Sequence, residues 1–556
     1  WYTLPDDPDV IGGYLDAGSL YATNKLTEGR NDNWHVTSQL LANYMRTFGK
    51  HDITVMAGFE NYYMKSENLS AARDQYELTN YPFLNIGSED FQTNSGTGAE
   101  YTSNSFFGRL LYSYANRYLF QANVRRDGSS RFAKNYRWGT FPSFSAGWVM
   151  SEEPFMQKAN LPWLSYLKLR ASWGKLGNER IGSNYFPYIA LMNFGSTLFY
   201  MADGSVVSGS TARPAVLAVE DITWETTTST DLGFDANFLN NRLHINFDYY
   251  WKKTTDMLLA IQIPYTMGYN SPNTNAGKMS THGYDIDVSW QDHIGDFKYS
   301  VGLNFSDYLS KIDYLNNSDI ISGGKVKRAG VLFNEFYGYV CDGIYQTQDE
   351  VQNSARTSSS VTVGDLKYRD ISGPDGVPDG KISPEYDRVP LGNSLPRYQY
   401  GGNLSASWKG IDLNIAFQGI GKQNAYLDQA MVQPFRNNYG NVPAIIEGKY
   451  WSPFNTDAEN ASAKYPRLSN VSKDNNYATS SYWMFNGSYF RLKNVTLGYT
   501  LPKNWTKYVG IDRTRLYISG SDLFCISNYP KGWDPEMGTS AYPITTSLVV
   551  GVQVNF

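Results

Sequence analysis

SLVVGVQVNF, residues 547–556, sets Leu548, Val550, Val552, Val554 and Phe556 at every second position. A side-chain period of two puts all five on one face of a β-strand. Val549, Gly551, Gln553 and Asn555 take the other face. Terminal segments fray unless something ties them down, so an apolar face that runs to the final residue asks for a partner, either a protein core or lipid. The pattern recurs upstream. LHINFDYYW (243–251) sets Leu243, Ile245, Phe247, Tyr249 and Trp251 against His244, Asn246, Asp248 and Tyr250. FKYSVGLNF (297–305) and IDLNIAFQ (411–418) alternate in the same way, with Asn304 and Asn414 among their polar positions. These are half-buried strands.

The punctuation between strands is lopsided. FGKHD (48–52), YANRY (114–118), FLNNR (238–242) and WKGID (408–412) are built from residues that tolerate tight turns and read as hairpins. The other connections are long and rich in Asn, Ser, Gly, Asp and Tyr: 69–100, 196–221, 260–277, 345–393, 425–486 and 525–545. Structureless loops of that length argue against a compact soluble domain. A soluble sandwich or propeller explains the alternation, but its strands run about 5–6 residues and its loops are not sorted by length. A transmembrane antiparallel barrel explains both features, with an apolar outside, a polar inside, short turns at one rim and long extracellular loops at the other. The expected fold is therefore all-β, with about sixteen to eighteen strands of barrel type. A closed barrel has no edge, so the terminal strand is expected to close on the first, with Phe556 at the membrane boundary.

Composition agrees. The chain has 556 residues with 44 Tyr, 28 Phe and 14 Trp, yet its mean hydropathy is negative, so the aromatics are set in a polar chain. Lys+Arg 48 against Asp+Glu 53, without long runs of one sign, offers no stripe for nucleic acid. Cys341 and Cys525 are far apart and define no disulfide framework. No run of 18 apolar residues is present, which excludes transmembrane helices but not a barrel. The opening WYTLPDDPDV has no signal-peptide pattern and reads as an internal start.

Four stretches carry a family resemblance: RRDGSSRFAKNYRWGTFPSFSAGWVMSEEPFM (125–156), LKLRASWGKLGN (167–178), ITWETTTSTDLGFDANFLNNRLHINFDYYWKKTTDMLL (222–259) and YFRLKNVTLGYTLP (489–502). They resemble the SusC/RagA family of TonB-dependent outer-membrane transporters of Bacteroidetes, from about residue 33 to Phe556. Gly551, Val554 and Phe556 resemble that family's C-terminal signal for outer-membrane assembly. The resemblance implies a barrel of about 22 strands with a plugged lumen. It also implies a SusD-like surface lipoprotein that lids the pore, pairs of such complexes forming a dimer, and TonB-driven import of oligosaccharides or oligopeptides. The expected site is the outer membrane of a Gram-negative bacterium, in contact with lipid and lipopolysaccharide. Residues 1–556 are expected to form the C-terminal part of that barrel, with plug and TonB contacts on other segments. A passive porin or adhesin barrel and a soluble secreted glycan-binding β-protein are the competing classes.

Bond chemistry is not expected. The five histidines are scattered without HExxH or metal spacing, and no GxSxG elbow, P-loop or dinucleotide fingerprint is present. One loop, YRDISGPDGVPDGKISPEYDR (368–388), spaces Asp370, Asp375, Asp379, Glu385 and Asp387 around Gly376 and Gly380 much like a calcium loop. The resembled family often carries an EF-hand-like loop here, from which this copy departs by extra residues before DGKI and a displaced Asp387. A structural Ca²⁺ is one reading, and Asp-Gly and Pro turns with solvated carboxylates are the other. Among loop aromatics, Tyr200, Tyr265, Tyr269, Tyr439, Tyr482 and Trp483 are the candidates to stack on a ligand or anchor a partner. Asn246, Asp248, Asn304 and Asn414 are expected to face plug or lumen water.

Overall fold

Alternation along each strand dictates a sheet with two unlike faces. A computed structural model shows that sheet. It describes residues 24–556 apart from 79, 183–184, 191, 215–216, 262, 317–318, 428, 437–440, 507, 509, 538–541 and 543, together with the backbone of 2–4 and 7–12. Fifteen strands form one continuous sheet in strict chain order, every neighbouring pair antiparallel. They are β1 (Leu26–Phe48), β2 (His51–Arg73), β3 (Gln92–Tyr114), β4 (Tyr118–Ser129), β5 (Trp138–Val149), β6 (Leu164–Asn178), β7 (Glu225–Phe238), β8 (Leu243–Ala260), β9 (Asn273–Ile294), β10 (Phe297–Leu315), β11 (Arg397–Trp408), β12 (Ile411–Lys422), β13 (Tyr489–Thr500), β14 (Arg513–Ser527) and β15 (Ser547–Asn555).

Register shows how the faces are made. Phe234, Phe247, Ile286 and Phe305 stand opposite one another across β7 to β10 and form an apolar row. One residue along, Asp235, Asn246, Asp287 and Asn304 form a polar row on the other face. The apolar face has no protein over it: Leu548 is 69%, Val550 77%, Val552 62% and Phe556 92% exposed. A row of large apolar side chains left this exposed is the mark of a face that meets lipid or a partner. No described helix is long and apolar enough to cross a membrane.

The two rims differ as the loop lengths predict. At one rim the connections are 49–50, 115–117, 150–163, 239–242, 295–296, 409–410 and 501–512. At the β11–β12 turn Lys409 and Gly410 both have positive φ, 46° and 89°, the mirror-image turn whose twist matches the flanking strands. At the other rim the connections are 74–91, 130–137, 179–224, 261–272, 316–396, 423–488 and 528–546.

Three expectations change. The loop expected over 69–100 shrinks to 74–91, because β1, β2 and β3 each run 23 residues and carry pairing into 69–73 and 92–100. At roughly 3.3 Å per residue such strands reach about 75 Å, far more than a bilayer needs, and their outer ends, as at 27–33, 65–68 and 92–100, are polar on both faces. The strand number is fifteen in this sheet. And β15 does not close on β1: each is paired on one side only among the described residues, so the sheet has two open edges. β15 is held by β14 alone, with Gly551 opposite Tyr517. A Cβ at Gly551 would lie 2.4 Å from the Tyr517 ring, which explains a glycine in this strand.

Candidate functional site: the polar face and the loop cap

The polar face is laced with ion pairs. Arg170 on β6 bridges Asp235 at 2.9 Å and Asp248 at 3.0 Å, and Lys168 lies 3.7 Å from Asp235. Arg125 pairs with Asp127 at 2.7 Å and Glu60 at 3.1 Å, Arg515 donates to Asp412 at 2.8 Å, and Arg397 forks onto Asp307. Charges on a membrane protein belong on the face away from lipid and in pairs, so these fix which side is the lumen. Asn246, Asp248, Asn304 and Asn414 share this face, as their register requires.

At the long-loop rim, connections 316–396 and 423–488 fold together. Tyr339, Leu366, Tyr368 and Ile382 from the first close on Met431, Val432, Ile446, Tyr477 and Trp483 from the second. Beneath that apolar core lies a buried polar knot. Asp365, 0% exposed, accepts from Arg467 at 2.8 and 3.2 Å, Ser472 Oγ at 2.8 Å, Asn476 Nδ2 at 2.9 Å and the Thr362 amide at 3.0 Å. Asn476 in turn accepts from the Leu366 amide at 2.9 Å, and Tyr368 donates to the Asn475 carbonyl at 2.6 Å. Every bond of this knot except the one from the Thr362 amide crosses between segments about a hundred residues apart, so the two loops form one cap. Burial pushes the Cys341 thiol in this cap up to about 12, and the Tyr477 and Tyr482 phenols are raised by the same cause. A smaller core of Phe132, Phe141, Ile181, Ile222 and Trp224 seats the loops 130–137 and 179–224.

The aromatic candidates divide. Trp483 is 2% exposed, stacks on Tyr477 at 5.6 Å and donates its indole N–H to the Asn476 carbonyl at 2.9 Å. It is a core side chain with its polar atom satisfied, which gives it a packing place in the cap, and Tyr482, half-buried, packs edge-on against it at 5.1 Å. Tyr200 is 83% exposed at the end of a hairpin, Met192–Tyr200 with Val206–Pro214, inside the expected 196–221 loop. Tyr269 is half-buried in 261–272. Tyr265 opens a short helix whose first side chain lies outside the described residues, as does Tyr439 entirely.

The acidic loop does not assemble a calcium cage. Asp387, 0% exposed, is taken up by the loop's own backbone, accepting from Ile371, Ser372 and Ser383 amides at 2.8, 3.2 and 2.7 Å. Asp370 Oδ2 accepts from Gly380 and Asp379 Oδ1 from Lys381. Asp370 Oδ1 lacks a partner, but Asp375, Asp379 and Glu385 are exposed, and no three His, Cys, Asp or Glu side chains among the described residues gather as metal ligands. The residues fit the turn reading. What the sequence did not single out is the Asp365 knot, whose members look like ordinary loop polar residues until the fold brings them together.

A sheet apolar on one face, ion-paired on the other and capped at one rim defines the wall of an antiparallel β-barrel type. Residues 2–518 match the family described as TonB dependent receptor-like, beta-barrel, and the chain belongs to it. It is 30% identical over 520 residues to TonB-dependent receptor P3 of Formosa agariphila, covering 90% of this chain and 49% of that protein. It is 28% identical to TonB-dependent receptor SusC of Bacteroides thetaiotaomicron, covering 98% of this chain and 52% of the relative. The chain thus spans about half the length of these curated relatives. In fold it is similar to the structure of the RagAB peptide transporter, with a TM-score of 0.78 at 24% identity over 96% of this chain and 56% of that one.

Proposed function

We propose that this chain is the barrel portion of an outer-membrane nutrient importer of the SusC type, working with a SusD-like surface lipoprotein and with TonB energy delivered through segments beyond this chain. The reading rests on one observation above the rest: the three longest connections among the described strands, 179–224, 316–396 and 423–488, rise at a single rim, and the two largest fold into a cap there, while the wall below is apolar outward and ion-paired inward. A passive porin needs the wall but gains nothing from a folded cap. Family membership supports the energised alternative. Oligopeptides and oligosaccharides both suit a lumen lined by Asn, Asp, Arg and Ser, and the similarity to a structure described as a peptide transporter makes peptides the first class to test.

The test uses cells carrying the full-length receptor and its neighbouring lipoprotein, offered labelled oligopeptide and oligosaccharide mixtures. Uptake of one class should stop when a protonophore collapses the proton gradient, while surface binding persists. Uptake that continues unchanged would assign the protein to the passive pores.

A further inference from the structure

Arg491 is a charged side chain on β13 that is 2% exposed, and the wall itself offers it little. Its one carboxylate from the sheet, Asp522 of β14, lies 3.5 Å away. The closer two come from the connection 528–546: Asp534 at 2.5 Å and Glu536 at 2.8 Å. Lys493, two residues along β13, bridges Asp522 at 2.7 Å and Glu536 at 3.5 Å. The backbone between the two loop acids is tightly turned, with the Glu536 amide donating to Asp534 Oδ1 at 2.9 Å and the Met537 amide to the Asp534 carbonyl at 3.2 Å. That turn aims both carboxylates at the wall. The preceding residue points elsewhere: Trp533 packs against the apolar core of the cap. Tyr529 adds a second contact to the cap, edge-on to Phe485 at 4.9 Å.

We infer that residues 529–536 are a strap that fixes the loop cap over the polar face, with Arg491 and Lys493 as its anchor on the wall and Trp533 as its anchor in the cap. The physical argument is charge satisfaction. A buried guanidinium must be paired, and removing its partners leaves an uncompensated charge. Here two of three partners are brought by the loop, so docking the strap and neutralising the anchor are the same event. An undocked strap would leave two cations facing one carboxylate at the mouth of the lumen. The cap therefore has a discrete held state, set by positioning residues that touch no substrate, whatever the cargo is.

Hydrogen exchange on the full-length receptor in nanodiscs tests this. In Arg491→Met, peptides covering 528–537 should exchange at least tenfold faster and cap peptides covering 473–486 should also speed up, while 494–500 and 513–520 in the wall keep their protection. Arg491→Lys should retain part of that protection, since charge remains. Asp534→Asn with Glu536→Gln should release the strap with the wall cations intact, and it decides the matter if Arg491→Met fails to assemble. Trp533→Ala should loosen the cap while 534–537 stays protected. Unchanged exchange of 528–537 in the Asp534/Glu536 double variant, or equal loss in the Lys and Met variants, would overturn the strap.

Discussion

Replacing Asp365 by Ala should open the cap and leave the wall intact. The carboxylate sits at 0% exposure and receives two bonds from Arg467 and one each from Ser472, Asn476 and the Thr362 amide. Breaking a buried ion pair by removing one member costs about 3–5 kcal/mol. Arg467 is a quarter exposed, so water recovers part of the loss and the low end applies. About 3 kcal/mol corresponds to roughly a 150-fold rise in the fraction of caps that are open. Asp365→Asn keeps an acceptor for Ser472 or Thr362 and should cost less, about 1–2 kcal/mol. Because local opening need not involve the whole molecule, the assay is pulsed proteolysis of the full-length receptor in membranes, following cuts within 345–370 and 449–480. The barrel's anomalous gel mobility without boiling serves as control. Cleavage at the wild-type rate in Asp365→Ala would refute the reasoning, and so would loss of cap and barrel together.

Three further outcomes follow from the same structure. Cys341, its thiol pushed up to about 12 by burial, stays protonated throughout the neutral range and should react slowly with maleimide at pH 8. Its labelling should rise in Asp365→Ala, and equal rates in wild type and variant would contradict a shared cap. Calcium chelation should leave exchange in 370–387 unchanged, since Asp387 is occupied by three backbone amides, and a chelator-dependent loss of protection would restore the calcium reading. Phe556→Ala should lower the yield of assembled receptor while the barrels that form keep nearly wild-type stability, because a ring 92% exposed on the apolar face loses little protein packing. Normal yield would make Phe556 only another lipid-facing side chain.

The wall was legible because its code is local. Alternation at LHINFDYYW and FKYSVGLNF fixes both faces of a strand from neighbouring residues alone, and hairpins at FGKHD and WKGID join strands where the turn chemistry says they should. The outer halves of β1 to β3 were not legible, since stretches such as QTNSGTGAE, 92–100, are polar on both faces and carry no period. The cap was hidden for a different reason. Its core residues, Leu366, Val432 and Trp483 among them, meet across long sequence separations with no periodic signal, so Trp483 reads from sequence as a loop aromatic and nothing sets Asp365 apart from other loop carboxylates. Asp387 misled in the opposite direction, because a carboxylate that organises backbone amides has the same spacing as one that binds a cation.

Fluorescence quenching along the terminal strand tests the account most directly. With Cys341 and Cys525 replaced by Ser, single cysteines at 548, 549, 550, 552, 553, 554 and 555 of the full-length receptor would carry a small fluorophore in liposomes containing brominated lipid, leaving Gly551 untouched because a side chain there meets Tyr517. Positions 548, 550, 552 and 554 should be quenched by the lipid, and 549, 553 and 555 by an aqueous quencher instead, in strict alternation. Uniform access to the aqueous quencher would show that the apolar face does not meet lipid and that the sheet is not a membrane wall.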